Sequence, residues 1–223
     1  MCGVFCYIGQ APVNLEKSIQ AIHHRGPDSD GFFVHNREED EIFSDPNSSN
    51  KNAAKVALGF KRLAIIDLKP EANQPFSHPS GRYHIIFNGE IYNYLELREE
   101  LKAEGIEFIT DSDTEVLLNS FIQWGPACFA KLNGMWACCI YDMVNGTVTL
   151  SRDRFGIKPM YYWQNENEFY IFSELKQVFH QEGFKKKINE NVLRDFLESA
   201  VLDANNETFF KDVYSFPQSH YAV

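Results

Sequence analysis

Cys2 directly follows the initiator methionine, and removal of Met1 would leave a thiol and a free α-amine on one residue. A thiol with a pKa near 8.5 is only a few per cent thiolate at neutral pH, and an α-amine of pKa roughly 7.7 to 8.0 is well matched as its base. Such a nucleophile needs no catalytic histidine. The alternative is that position 2 is Cys by chance and Met1 stays in place, which would block the α-amine.

Three other stretches carry residue types suited to acyl chemistry. Arg62 lies between two apolar runs in KVALGFKRLAIIDL, where a charge is costly unless it meets an anion. That anion is either a substrate carboxylate gripped in bidentate fashion or a structural carboxylate such as Asp67. Asn88 and Gly89 offer a side-chain amide and an unobstructed main-chain N–H, the two donors of an oxyanion hole, although Asn-Gly is also the commonest hairpin turn. Asp111, Ser112 and Asp113 precede a helical pattern, where each is a good N-cap and a carboxylate could equally hold a substrate ammonium. In HHRGPDSDG (23 to 31), adjacent His23 and His24 beside Arg25 invite a metal reading, but without a third ligand they make a poor site. The plainer reading is a turn-rich loop with solvated charges.

These residues sit in a chain of 223 residues that is 44% hydrophobic, with 19 Phe and 10 Tyr, enough apolar surface for a substantial core. A formal charge of −10 argues against a general nucleic-acid or anionic-membrane surface and favours a small polar substrate. No run approaches 18 apolar residues and no basic-then-apolar leader opens the chain. Five cysteines without a C-x-x-C pair read as reduced thiols in a cytoplasmic protein. Cys138 and Cys139 are expected on opposite faces of a strand.

The elements that would position the chemistry follow from periodicity. Residues 3 to 9 read as a strand apolar on both faces, hence a covered inner layer. A helix is expected over 15 to 24 with Asn14 as N-cap, a strand over 31 to 36, and a polar hairpin or loop over 37 to 52. Residues 82 to 87 read as a strand ending at Asn88, followed by helices over 94 to 105 and 115 to 125. A short helix closed by Gly134 leads into an antiparallel pair joined through Asn145 and Gly146, then further strands and a helix at 174 to 180. That order suits stacked sheets with helices outside. Residues 1 to 187 are expected to form one domain, and 188 to 223 a linker helix and tail.

Taken together, Met1-Cys2-Gly3, HHRGPDSDG, RLAIIDL (62 to 68), QPF (74 to 76), NGEIYNY (88 to 94), SDTEV (112 to 116), LNGMWA (132 to 137) and RDRFGIKPMYY (152 to 162) resemble the class II glutamine amidotransferase domain. Among these the chain is most similar to the glutaminase half of glutamine-dependent asparagine synthetases. The resemblance implies an α+β N-terminal-nucleophile hydrolase fold, a four-layer αββα sandwich of two stacked, mainly antiparallel sheets flanked by helices. It implies that Cys2 attacks the glutamine side-chain amide while its α-amine handles protons, with Asn88 and Gly89 as the oxyanion hole. Arg62 would hold the glutamine carboxylate, Glu90 and Asp113 its ammonium, and Ile65 and Ile66 would line the pocket.

The products would be glutamate and ammonia, by way of a γ-glutamyl thioester. Ammonia would pass to a synthetase domain or subunit that uses ATP and magnesium and lies outside these residues, which contain no nucleotide-binding motif and are expected to hold no metal. A homodimer is compatible with the family. Alternatives are a non-catalytic glutamine-binding or regulatory module, and an amidotransferase domain serving a different amide or amino-sugar acceptor. Ser219 stands where the family usually has Gly.

Overall fold

Strand β1 (Gly3–Ile8) is buried on both faces, and its alternation organises the molecule. Val4 and Cys6 join an inner apolar layer, whereas Phe5 and Tyr7 join an outer one beneath helices. The computed structural model describes residues 1–36, 42–44, 53–201 and 205–223.

Among the described residues the first sheet has seven strands and the second five. In the first, β1 lies between β4 (Ala54–Arg62) and β10 (Phe169–Phe172), all antiparallel. Beyond β4 come β2 (Ser29–Asn36) and β3 (Ile42–Phe43), and beyond β10 come β9 (Tyr161–Gln164) and β11 (Val213–Ser215). The second sheet runs β12 (Tyr221–Ala222), β8 (Thr147–Arg152), β7 (Gly134–Asp142), β6 (Tyr83–Ile91), β5 (Phe76–Ser77).

Period-two patterning builds three apolar layers from these strands. Leu58 and Phe60 of β4 meet Ile86 of β6 and Ala137, Cys139 and Tyr141 of β7 between the sheets. The opposite faces of β6 and β7, through Phe87, Cys138 and Ile140, pack under helices α2 (Tyr94–Ala103), α3 (Asp113–Trp124) and α4 (Cys128–Lys131). Helix α1 (Leu15–Gln20) and the 3-10 helix Leu175–His180 cover the first sheet. The result is the four-layer α+β sandwich, with Cys138 and Cys139 facing different layers as expected.

Several local expectations need correction. The first helix stops at Gln20, and Asn14 stands at its N-cap position without capping it, its Nδ2 donating instead to the His180 carbonyl at 3.0 Å. Strand β6 does not end at Asn88: it continues to Ile91, because Asn88 and Gly89 pair with Ala137 and Trp136 of β7. Ladder pairing overrides the turn preference of Asn-Gly here. Gly134 opens β7 rather than closing a helix, and residues 175 to 180 form a 3-10 rather than an α-helix. Of the polar segment 37 to 52, only 42–44 lies within the described residues.

Residues 188 to 223 contribute one helix, α5 (Glu190–Ser199), and two edge strands, β11 on the first sheet and β12 on the second. None of the described helices is long and apolar enough to cross a membrane.

Candidate active site

A cavity of about 260 Å³ is lined by all eight residues to which the family resemblance gives a role: Cys2, Arg62, Ile65, Ile66, Asn88, Gly89, Glu90 and Asp113. They arrive from five places. Cys2 precedes β1, Arg62 ends β4, Ile65 and Ile66 lie in the loop after it, Asn88 to Glu90 belong to β6, and Asp113 starts α3.

Cys2 is half-buried, and its sulfur accepts the Leu63 N–H at 3.3 Å. Burial pushes its thiol pKa up. The Leu63 hydrogen bond, the Met1 amine, Lys158 and Arg62 pull against that. On the other side, Arg25 donates from Nε to the Cys2 carbonyl at 2.9 Å and from Nη1 to Glu174 at 3.0 Å. The solvated-loop reading of HHRG therefore fails at Arg25, which is buried. The two histidines also diverge, His24 bonding Glu174 at 2.8 Å and His23 accepting from Lys61 at 3.2 Å.

Arg62 is bound to neither expected anion. It donates to the main-chain carbonyls of Asp67 and Lys69 and, at 2.6 Å, to Asn73 Oδ1. The Asp67 carboxylate accepts instead from the N–H groups of Lys69 and Asp111, both at 2.9 Å. Carbonyl acceptors orient the guanidinium without neutralising it, so its positive charge remains available to the cavity.

Asn88 is 1% exposed, and among the described residues its buried Nδ2 has no hydrogen-bond partner. A native protein rarely tolerates such a group unless something else uses it. Gln74, from the QPF motif, fixes the strand just ahead of it. Its Oε1 accepts from Phe87 N at 2.6 Å and its Nε2 donates to the Phe87 carbonyl at 3.2 Å and to Thr114 Oγ1 at 3.1 Å. That clamp needs Gly31, where a Cβ would lie 1.7 Å from the Gln74 carbonyl oxygen.

Ser112, among the three capping candidates, is the N-cap of α3, accepting from Thr114 N at 3.1 Å. This leaves Asp113 for another purpose. Its Oδ2 accepts from Ile91 N at 3.0 Å, joining the end of β6 to the start of the helix. Burial, with nearby Glu90 adding to it, pushes the Asp113 carboxyl up to about 6 despite that hydrogen bond.

Sequence reasoning missed Lys158, Met135 and Phe60, which also line the cavity. Lys158 lies inside RDRFGIKPMYY, but nothing in the local pattern says which way a lysine beside a proline will face.

A model of the glutamine amidotransferase domain matches residues 44–223. The chain belongs to the glutamine amidotransferase domain family. Among curated relatives, this amidotransferase domain is 41% identical to asparagine synthetase [glutamine-hydrolyzing] 1 of Bacillus subtilis, over 86% of the chain and 28% of that protein. It is 38% identical to a putative asparagine synthetase [glutamine-hydrolyzing] 2 of Methanocaldococcus jannaschii, over 89% of the chain and 38% of that protein. It is also 32% identical to amidase chry2 of Gibberella zeae, over the whole chain and 32% of that protein. The amidotransferase domain thus spans about a third of the length of these relatives. A solved glutamine phosphoribosylpyrophosphate amidotransferase from B. subtilis superposes with a TM-score of 0.66 at 21% identity, covering 84% of this chain and 45% of that one. That likeness shows the shared fold.

Proposed function

We propose that this domain hydrolyses glutamine to glutamate and ammonia with Cys2 as nucleophile, once Met1 has been removed. The observation that carries the reading is the buried Nδ2 of Asn88, which has no partner among the described residues, on the wall of the cavity that Cys2 and Arg62 also line. A buried amide donor with no acceptor among the described residues suits a substrate oxygen on which charge develops.

In this reading Arg62 grips the glutamine α-carboxylate, and ionised Asp113 with Glu90 holds the α-ammonium. The side-chain carboxamide then points at Cys2. The free α-amine takes the thiol proton, the thiolate attacks the amide carbon, and the carbonyl oxygen becomes an oxyanion facing Asn88 and Gly89. Collapse of that adduct breaks the C–N bond, the α-amine returns its proton to the leaving nitrogen, and ammonia departs. Water then adds to the γ-glutamyl thioester and releases glutamate and the thiol.

Ammonia as the useful product calls for an acceptor partner, and the names of two relatives, asparagine synthetases [glutamine-hydrolyzing], favour an asparagine-forming synthetase, for which we expect ATP and magnesium. Neither cofactor has a role in the chemistry of the cavity described above. The five cysteines are all unpaired, which supports a reducing, cytoplasmic setting.

Intact mass before and after reaction with 6-diazo-5-oxo-norleucine tests the reading. Loss of Met1 with a single adduct on Cys2, together with glutamate release from glutamine, is expected. A processed chain that takes no adduct and releases no glutamate would overturn it.

A further inference from the structure

The loop 153 to 158 is held more tightly than its surface position requires. Asp153 is fully buried and its carboxylate accepts four main-chain N–H groups. Oδ1 takes those of Phe155 at 3.0 Å and Ile157 at 2.9 Å, and Oδ2 those of Lys158 at 3.0 Å and Trp136 at 3.2 Å. Arg152 closes the loop from the other side, donating to the carbonyls of Lys158 at 2.9 Å and Gly156 at 2.8 Å.

What this knot fixes is the direction of Lys158. The residue is 6% exposed and lines the cavity with Cys2. Among the described residues its Nζ makes no hydrogen bond or ion pair. Lys61, buried to a similar degree, behaves as a structural lysine does, bonded to Asp30 and His23. An ammonium in the cavity wall, on a residue this buried, is only partly solvated, and an anion forming beside it during function would stabilise it. Burial lowers the Lys158 pKa, and Cys2 is the largest influence opposing that.

We infer that Lys158 is a positioning residue for the Cys2 thiolate: its ammonium, aimed by the Asp153 knot, stabilises the ionised sulfur ahead of attack. The inference rests on the reading of Cys2 as nucleophile. The other charged groups around Cys2 have other tasks. The α-amine exchanges the thiol proton, Arg62 is held by the Asp67 and Lys69 carbonyls and Asn73, and Arg25 commits Nε to the Cys2 carbonyl and Nη1 to Glu174, with only its Nη2 unbonded among the described residues. Glu90 and Asp113 have the wrong sign. Lys158 remains as the cation for sulfur, and a thiolate beside a fixed cation is both more populated and more reactive at neutral pH.

The test is the rate of Cys2 alkylation by iodoacetamide against pH, followed by peptide mass in the Met1-processed chain. No glutamine is needed, so the result is independent of turnover. The remaining four cysteines are fully buried and serve as internal controls. Lys158→Met, which keeps the aliphatic stem, should move the profile about one pH unit upward, roughly a tenfold slower reaction at pH 7, and Lys158→Gln should do the same. Lys158→Arg should restore the wild-type profile. Superimposable profiles for wild type and a folded Lys158→Met or Lys158→Gln protein, judged by an unchanged melting temperature, would overturn the inference. So would an arginine variant as slow as the methionine one. Failure of the glutaminase reading would show separately, as wild-type protein inert to 6-diazo-5-oxo-norleucine.

Discussion

Arg25 Nε donates to the carbonyl oxygen of Cys2 at 2.9 Å, so the peptide that follows the candidate nucleophile is held from a 3-10 turn over twenty residues away. Glu174 anchors that guanidinium and also meets His24 and Lys176. Glu174→Gln should weaken the anchor while preserving its shape. Glutamine hydrolysis should fall about tenfold in kcat with KM little changed, and stability by roughly 1–3 kcal/mol as a charged hydrogen bond is lost. Steady-state kinetics and urea unfolding read the two effects.

Asn88→Ala separates function from stability. Its Nδ2 is buried without a partner among the described residues, so removing it relieves a desolvation cost of about 1–3 kcal/mol, set against the cavity left behind. Loss of an oxyanion donor costs roughly 10²–10³ in kcat. Thermal unfolding should therefore be little changed in a variant whose glutaminase rate has collapsed.

The neighbouring position should behave in the opposite way. A Cβ on Gly89 would lie 2.4 Å from both the Met135 carbonyl oxygen and the Phe87 ring, and strand pairing on β7 leaves the backbone little freedom to retreat. Gly89→Ala is expected to lose at least 1–3 kcal/mol of stability. A melting temperature equal to wild type would contradict this packing.

Acid should act on two buried groups in opposite directions. With the Asp113 carboxyl pushed up to about 6, the folded protein binds its proton more readily than the unfolded chain. That contribution disappears as pH rises from 4 through 6. His84 is pushed down to about 4, burial being the main cause, so its contribution is lost as pH falls from 6.5 through 4. Each amounts to about 3 kcal/mol, so between pH 4 and 6 they largely offset. Asp113→Asn should expose the histidine effect as a steeper fall in stability on acidification. It should also weaken glutamine binding at pH 7, whereas in the wild type kcat/KM should decline only below about pH 6 as Asp113 takes up its proton.

That Cys2, Arg62 and Asn88 line one cavity was legible from the motifs in combination and not from any one residue, since Arg62 alone suits a structural ion pair and Asn-Gly alone a turn. The sheets were legible because GVFCYI and MWACCIYD are short, nearly continuous apolar runs bounded by turn residues, as strands covered on both faces are. The true end of β6 was not, since Asn-Gly reads as a turn until the partner strand is known. Arg25 was hidden in a polar run, and only tertiary packing shows that it turns inward. Lys158 depends on the Asp153 knot, whose bonds reach from Trp136 to Lys158. Strands of two and three residues, such as β11 and β12, are too short to carry any period.

Those two short strands have a structural consequence. Val213–Ser215 pairs with β9 in one sheet and Tyr221–Ala222 with β8 in the other, so the chain crosses between layers within its last residues and stitches them along one seam. On the way, Phe216 N bonds the Met160 carbonyl at 2.8 Å and Ser219 N the Asp153 carbonyl at 2.9 Å. A fragment stopped at residue 187 would lose the stitch and bare one raw strand edge on each sheet, inviting edge-to-edge aggregation. For this amidotransferase domain, the segment that reads as a departing tail is also part of its closure.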